Sequence, residues 1–165
     1  MYCPKCGKNS FEEDSFKSFK CQKCNFRIFL NAGAAVIAII RNDRNEVLLT
    51  IRRHDPYAGM LDLPGGFVDY EENAEEALCR EIKEELNLEV VDLKYLLSIP
   101  NLYEYEGILY HTLDLAFSCK VESFDNIKTD DDVSGYKFIP IEDISLDDVG
   151  LRSAKEIVRI LKEQK

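Results

Sequence analysis

The sequence has no long apolar run. Its longest uncharged apolar stretch, Ala32 to Ile40, is nine residues, about half of what a membrane-spanning helix needs, so a transmembrane protein is excluded. The amino terminus lacks the basic-then-apolar layout of a secretory leader, and a cytoplasmic protein with reduced thiols is expected. With 8 Gly and 5 Pro in 165 residues, the chain also lacks the composition of a disordered or low-complexity protein. Positive charge is in deficit too. The net charge of −10 argues against broad contact with phosphate backbones, which requires a basic face. What is present, 45% hydrophobic and 32% charged residues, suits a globular protein of one ordinary domain plus a small module.

The charge is unevenly divided. Residues 1–31 carry six basic and three acidic side chains, whereas residues 32–165 carry fifteen basic and twenty-eight acidic ones. Four of the six cysteines lie in the first segment, as Cys3-Pro4-Lys5-Cys6-Gly7 and Cys21-Gln22-Lys23-Cys24-Asn25. Two Cys-x2-Cys pairs at this separation approach the spacing of a four-thiolate zinc site. Gly7 and Asn25, directly after the pairs, are residue types that accept the positive φ of a tight knuckle. So short a segment cannot build a core alone, so zinc bound by Cys3, Cys6, Cys21 and Cys24 is expected to fold it. Disulfides are disfavoured by the reducing compartment. Four thiolates fill the ion's tetrahedral shell, which makes the site structural. With the ion bound the segment is only about +1, too little for a nucleic-acid face. Cys79 and Cys119 stand alone and read as small buried side chains.

A domain over residues 32–165 follows. Ala34–Ile40 and Val47–Ile51 are β-branched apolar runs flanking the turn-like Asn42-Asp43-Arg44-Asn45, and they read as a hairpin. Loop residues lead to Pro64-Gly65-Gly66. From Asn73 the apolar residues Ala74, Ala77, Leu78, Ile82 and Leu86 recur at helical spacing, and Asn73 with Glu76 forms a capping-box start. Further strands are expected at Val90–Ser98, Ile108–Val121 and Tyr136–Pro140, and an amphipathic helix at Leu151–Leu161. No internal repeat is present beyond the paired cysteine knuckles.

On the first helix, Glu81, Glu84 and Glu85 stand at i, i+3 and i+4 and project to one side. Like charges so placed repel, and a solvated acidic face would tolerate this. Here a Pro64-Gly65-Gly66 turn precedes the helix, and Glu72 and Arg80 stand at fixed spacing from the cluster. Clustered hard oxygen ligands suit Mg²⁺ or Mn²⁺. The segment resembles the Nudix box, G-x5-E-x7-R-E-U-x-E-E-x-G-U with U aliphatic. Gly66, Glu72, Arg80, Glu81, Ile82, Glu84, Glu85 and Leu88 match, and only Asn87 departs, where the pattern has Gly. That position ends the helix, and Asn tolerates a left-handed cap. The resemblance implies an α/β fold, a Nudix-type α/β/α sandwich, behind a small zinc ribbon. It implies hydrolysis of a nucleoside diphosphate linked to another moiety, by attack of metal-activated water on phosphorus. It also implies that Glu81 and Glu85 bind the metal, with Glu84 a third ligand or the water-orienting base. The Gly65 carbonyl is a further ligand, and Arg80 holds Glu72 or Glu84 by a charge-assisted bond.

A zinc ribbon ahead of such a domain is similar to the architecture of the NADH pyrophosphatases. Those enzymes carry S-Q-P-W-P-F-P ten residues after the box. Here the segment reads Ser98-Ile99-Pro100-Asn101-Leu102-Tyr103-Glu104, keeping Ser, the first Pro and an aromatic. NADH, NAD and ADP-ribose are the substrates this suggests. Tyr103, Tyr105 and Tyr110 are candidates for stacking on a base, with strand-edge packing the other reading. The expected partner is a nucleotide; a membrane is not expected, and a homodimer is left open. A non-catalytic Nudix-type ligand sensor, or a nucleic-acid-associated adaptor using the ribbon, is the alternative. The intact carboxylate cluster favours the enzyme.

Overall fold

The computed structural model describes residues 1–130 and 132–164. The chain divides into two compact units, Met1–Ala32 and a second beginning at Gly33. In the first, β1 (Phe11–Ser15), β2 (Ser18–Cys21) and β3 (Arg27–Phe29) form an antiparallel sheet in sequence order. Its interior is small. Phe11 stacks on Phe19 and Phe26 at centroid distances of 5.8 and 6.2 Å, beside buried Cys3 and Cys21. Gly7 and Asn25 take φ of +69° and +59°. Their amides turn back onto the carbonyls of Cys3 and Cys21 at 2.9 and 3.0 Å, closing the two knuckles.

The second unit contains β4 (Gly33–Ile40), β5 (Glu46–Arg52), β6 (Leu61–Asp62), α1 (Ala74–Leu86), β7 (Val90–Tyr105), β8 (Ile108–Val121), β9 (Val133–Pro140) and α2 (Arg152–Glu163). The strands make two three-stranded sheets, ordered β4-β8-β7 and β6-β5-β9. The inner strands are buried on both faces, as parallel and sandwiched strands are. Val36, Ala38, Ile40 and Leu48 pack with Leu78, Ile82 and Leu86 of α1. The alternate residues Ile37, Ile39, Val47 and Leu49 pack with Ala154, Ile157 and Val158 of α2. Helix α1 therefore covers one face and α2 the other, giving the α/β/α sandwich. The capping box forms: Asn73 Oδ1 accepts from the Glu76 amide at 2.8 Å, and a Glu76 carboxylate oxygen accepts from the Asn73 amide at 3.0 Å. At the other end Asn87 takes the left-handed cap, φ 53° and ψ 34°.

The hairpin expected from Ala34–Ile40 and Val47–Ile51 does not form. The turn closes, with the Asn42 amide on the Glu46 carbonyl at 3.1 Å, but the strands share only an isolated bridge at Arg41 and Val47 before diverging. β4 instead pairs in parallel with β8, and β5 pairs antiparallel with β6 and β9. Both runs are apolar on two faces, so each needs a helix above and below, and separate sheets supply partners for both. β7 is also longer than expected, because Ile99 to Tyr105 continues in register with β8.

The Pro64–Gly66 turn is bonded to β4 rather than free. The carbonyls of Pro64 and Gly66 accept from the amides of Ala38 and Val36, both at 2.8 Å. Between them Gly65 has φ +142°, and a Cβ there would sit 2.0 Å from the Val36 carbonyl oxygen. Backbone, not a flexible side chain, occupies that space. Gly65→Ala should therefore lower stability by about 3 kcal/mol or more. Urea denaturation measures this, and a loss below about 1 kcal/mol would contradict the packing described.

Candidate active site

The turn and α1 border a cavity of about 270 Å³. Its lining draws on both sheets of the second unit, and Glu81, Glu84 and Glu85 form the α1 side. Cα spacing brings the three carboxylates to one side of the helix, as expected, but their environments differ. Arg80 organises the outer ones. Its Nε and Nη2 donate to the two oxygens of Glu72 at 2.9 and 2.8 Å, a bidentate pair. Nη1 donates to Glu81 at 2.8 Å and to Glu84 at 3.0 Å, and Nη2 also reaches the Phe67 carbonyl at 3.0 Å. The Arg80 guanidinium holds the Glu72 carboxyl below the usual carboxylate range. In return, Glu72 above all raises the pKa of Arg80, followed by Glu81 and Glu84.

Glu85 lies outside this clamp. It is 7% exposed, and its Oε2 accepts from the Gly65 amide at 3.0 Å. Burial pushes its pKa well above 4.5, and the charged neighbours acting on it, Glu81, Asp62 and Asp132, are acidic and push the same way. A buried carboxylate among acidic neighbours is a position that a divalent cation would stabilise. The donor set of three carboxylates matches the hard oxygen ligands of Mg²⁺ or Mn²⁺. Gly65 thus meets the cluster through its N–H, while its carbonyl takes no part in the two bonds that fix the turn. At Gly66 a Cβ would fall 2.4 Å from the Glu81 carboxylate, so a side chain there would displace that carboxylate.

The cavity lining also carries polar residues that the sequence reading did not single out. Arg52 pairs with buried Asp62 at 2.9 Å and donates to the Pro56 carbonyl at 2.7 Å. Burial outweighs that ion pair, and the Asp62 pKa is pushed up to about 6. Asp114, 3% exposed, accepts from Asn101 Nδ2 at 3.0 Å and from Thr112 Oγ1 at 2.6 Å. Two of these residues did leave a signal: Asp62 and Asp114 each interrupt a run of apolar neighbours, Leu61-Asp62-Leu63 and Leu113-Asp114-Leu115. A charged residue inside a strand pattern is costly unless it has a task.

The three tyrosines separate. Tyr103 lines the cavity, with Phe67 packed edge-on against it at 5.8 Å. Tyr105 stacks beside Tyr103 at 6.4 Å but borders a second, shallower groove with Pro56 and Leu109. Tyr110, opposite Tyr103 in the β7–β8 register, is 44% exposed and lines neither.

In the first unit the Sγ atoms of Cys3, Cys6, Cys21 and Cys24 all lie within 4.8 Å of one another. The Cys3–Cys24 and Cys6–Cys21 sulfurs are both 3.7 Å apart, far beyond a disulfide bond. For a metal–sulfur bond of about 2.3 Å a tetrahedron has an edge of about 3.8 Å, so the cluster has the dimensions of a zinc shell. The Ser10 hydroxyl, at 3.2 Å, is the main reason the Cys21 thiol is held down to about 6. The Cys24 thiol, though it accepts from the Phe26 amide, is pushed up to about 12 by burial and by its three thiol neighbours. Sulfurs that oppose one another's ionisation would be relieved by a shared cation.

Comparison with known proteins points to one family. The NUDIX domain model matches residues 31–159. The ADP-ribose pyrophosphatase of Methanocaldococcus jannaschii is 45% identical over 74 residues, which cover 45% of this chain and 43% of that protein. The NAD-capped RNA hydrolase NudC of Photorhabdus laumondii subsp. laumondii is 30% identical over 123 residues, 74% of this chain and 45% of that protein. The matches span less than half the length of these curated relatives. Among solved structures, a NUDIX hydrolase from Nitrosomonas europaea aligns over 99% of this chain and 91% of its own, with a TM-score of 0.73 and 23% identity. The NUDIX domain of Shewanella oneidensis NrtR, complexed with ADP ribose, covers 82% and 90%, with a TM-score of 0.66 and 21% identity.

The state of Glu85 has a measurable consequence. Its folded pKa is raised, so above pH about 4.5 the unfolded chain loses this proton first and the folded state binds more protons. Stability in magnesium-free buffer should therefore fall as pH rises from 5 towards 8. Asp62 contributes a fall of the same sign. Glu85→Gln should remove the Glu85 part, leaving a shallower decline and a variant at least as stable as the parent at pH 8. Urea midpoints across this range test it, and parallel declines in the two proteins would refute the assignment.

Proposed function

Since the chain belongs to the NUDIX domain family, we propose that it is a metal-dependent pyrophosphohydrolase cleaving a nucleoside diphosphate linked to another moiety. NADH, NAD and ADP-ribose are the favoured substrates. The observation that carries this reading is the carboxylate set itself, Glu81 and Glu84 clamped by Arg80 and Glu85 buried among acids on one wall of a cavity. A non-catalytic sensor would have no use for so costly an arrangement.

Glu81 and Glu85 would hold Mg²⁺ or Mn²⁺, with Glu84 either a third ligand or the group that orients the attacking water. An ion bound there would supply charge neutralisation on the phosphate oxygens and a more acidic water. The remaining tasks fall to the chain. Arg80 positions three carboxylates through Glu72, Glu81 and Glu84, so their relative geometry does not depend on exposed, freely rotating side chains. Glu84 is the most accessible of the three, with 48% of its side chain exposed, which suits a proton acceptor facing the solvent side of the cavity. The apolar lining and the Tyr103 ring supply a face for a base.

The two relatives act, by their names, on ADP-ribose and on NAD-capped RNA, and both molecules contain an adenosine diphosphate unit. Cleavage of the pyrophosphate with release of AMP is accordingly the expected reaction, ahead of triphosphate hydrolysis. For the first unit, Cys3, Cys6, Cys21 and Cys24 would hold one structural Zn²⁺, its shell closed to substrate.

Two measurements test this reading. With Mg²⁺ saturating, kcat/KM compared across NADH, NAD, ADP-ribose, FAD, dinucleoside polyphosphates and triphosphates should favour the ADP-containing substrates. Glu85→Gln should lower kcat by about two to four orders of magnitude. Near-normal turnover by that variant would remove Glu85 from the metal site, and a preference for triphosphates would overturn the substrate class. Elemental analysis should independently find one zinc per chain, lost on replacing Cys6 or Cys21; a zinc-free protein with an intact first unit would reject the structural ion.

A further inference from the structure

The polar lining of the cavity contains an acceptor with no partner among the described residues. Asn101 is 5% exposed and lines the cavity, yet its Oδ1 is buried with no hydrogen-bond donor among the described residues. The orientation of the amide is not arbitrary. Its Nδ2 donates to Asp114 Oδ2 at 3.0 Å, while the other Asp114 oxygen accepts from the Thr112 hydroxyl at 2.6 Å. Turning the amide over would set an oxygen against the carboxylate, so Asp114 fixes Nδ2 towards itself and leaves Oδ1 as the outward-facing acceptor. Leaving a buried acceptor unmade is unfavourable. The choice of Asn is explained if a ligand supplies the donor.

We propose that Asn101 is a specificity-determining residue that reads the base of the substrate, its Oδ1 accepting a hydrogen bond from the 6-amino group of adenine. This rests on the nucleotide reading above. Along β7 the residues Ile99, Asn101 and Tyr103 alternate inward with exposed Pro100, Leu102 and Glu104, so the Tyr103 ring and the Asn101 amide share one face of the strand. A base lying on the Tyr103 ring presents its edge towards Asn101. An exocyclic amine is a donor carried at the rim of a flat ring, the shape suited to a buried acceptor beside an aromatic face. A 6-oxo purine would bring a carbonyl oxygen there instead, opposing two acceptors, and a site built for a donor rejects such an analogue strongly. Asp114 acts as a positioning residue through Asn101, and Thr112 through Asp114.

The test is equilibrium binding of AMP, IMP and purine riboside 5′-monophosphate to the full chain with Mg²⁺, read by calorimetry. The wild-type protein should bind AMP at least about tenfold more tightly than IMP and about three- to tenfold more tightly than purine riboside 5′-monophosphate, which lacks the amine. Asn101→Leu, similar in shape, should bring all three within about twofold. Equal binding of AMP and IMP by the wild-type protein overturns the proposal, as would happen if a ribose hydroxyl met Oδ1; a preference retained by Asn101→Leu overturns it too. The wild-type comparison stands alone if the variant fails to fold. Selective AMP binding without hydrolysis of ADP-ribose would uphold Asn101 and overturn the proposed reaction. Hydrolysis of ADP-ribose with equal AMP and IMP binding would do the reverse.

Discussion

One guanidinium sets the terms for the carboxylate side of the cavity. All five N–H groups of Arg80 are committed, four to the carboxylates of Glu72, Glu81 and Glu84 and one to the Phe67 carbonyl. Acidic groups at adjacent and i+4 positions of a helix would otherwise spread apart. The planar fork of Arg, with its donors in fixed directions, can hold several oxygens at once, and a Lys ammonium in the same place could not match that geometry. Because Arg80 also reaches Phe67, it ties α1 to the loop that carries Gly65 and Gly66. Helix, loop and carboxylates are therefore bonded into one piece.

That piece is seated by the sandwich. The α1 face opposite the carboxylates is apolar, and Leu78, Ile82 and Leu86 are fully buried against β4 and Leu48. The glycine turn is hydrogen-bonded to β4 on both sides of Gly65. Glu85 is drawn inward with them, the one charged side chain among the buried residues of the helix. Its burial is a consequence of the same packing that fixes the helix, and the unfavourable electrostatics are the cost of that position. Side chains placed on a rigid helix and a bonded turn are held more precisely than those on a free loop.

Much of this could be read from the amino acids, and the limits have identifiable causes. Helix α1 was legible because its period, cap and acidic pattern agree, and the cysteine knuckles because spacing alone brings their sulfurs together. The strand partners were not legible. Ala34–Ile40 and Val47–Ile51 look like a hairpin because a turn joins them, but each is apolar on both faces, and only the full set of partners decides which sheet each enters. Asp62, Asn101, Thr112 and Asp114 were missed for a related reason: they come from three strands distant in sequence, and no local spacing relates them. Tyr103 and Tyr105 are two residues apart, yet they face different recesses, a separation set by the course of β7 rather than by residue type.

The alternation of β7 also changes how its likeness to the NADH pyrophosphatase segment is to be weighed. The letters that agree, Ser98 and Pro100, lie on the exposed side of the strand with the divergent Leu102 and Glu104, whereas Asn101, which differs from the family's Trp, lies on the inward side with the retained aromatic at Tyr103. Agreement and divergence thus occur on both sides of the strand, and the exchange of a large aromatic for Asn101 falls on the side that lines the cavity.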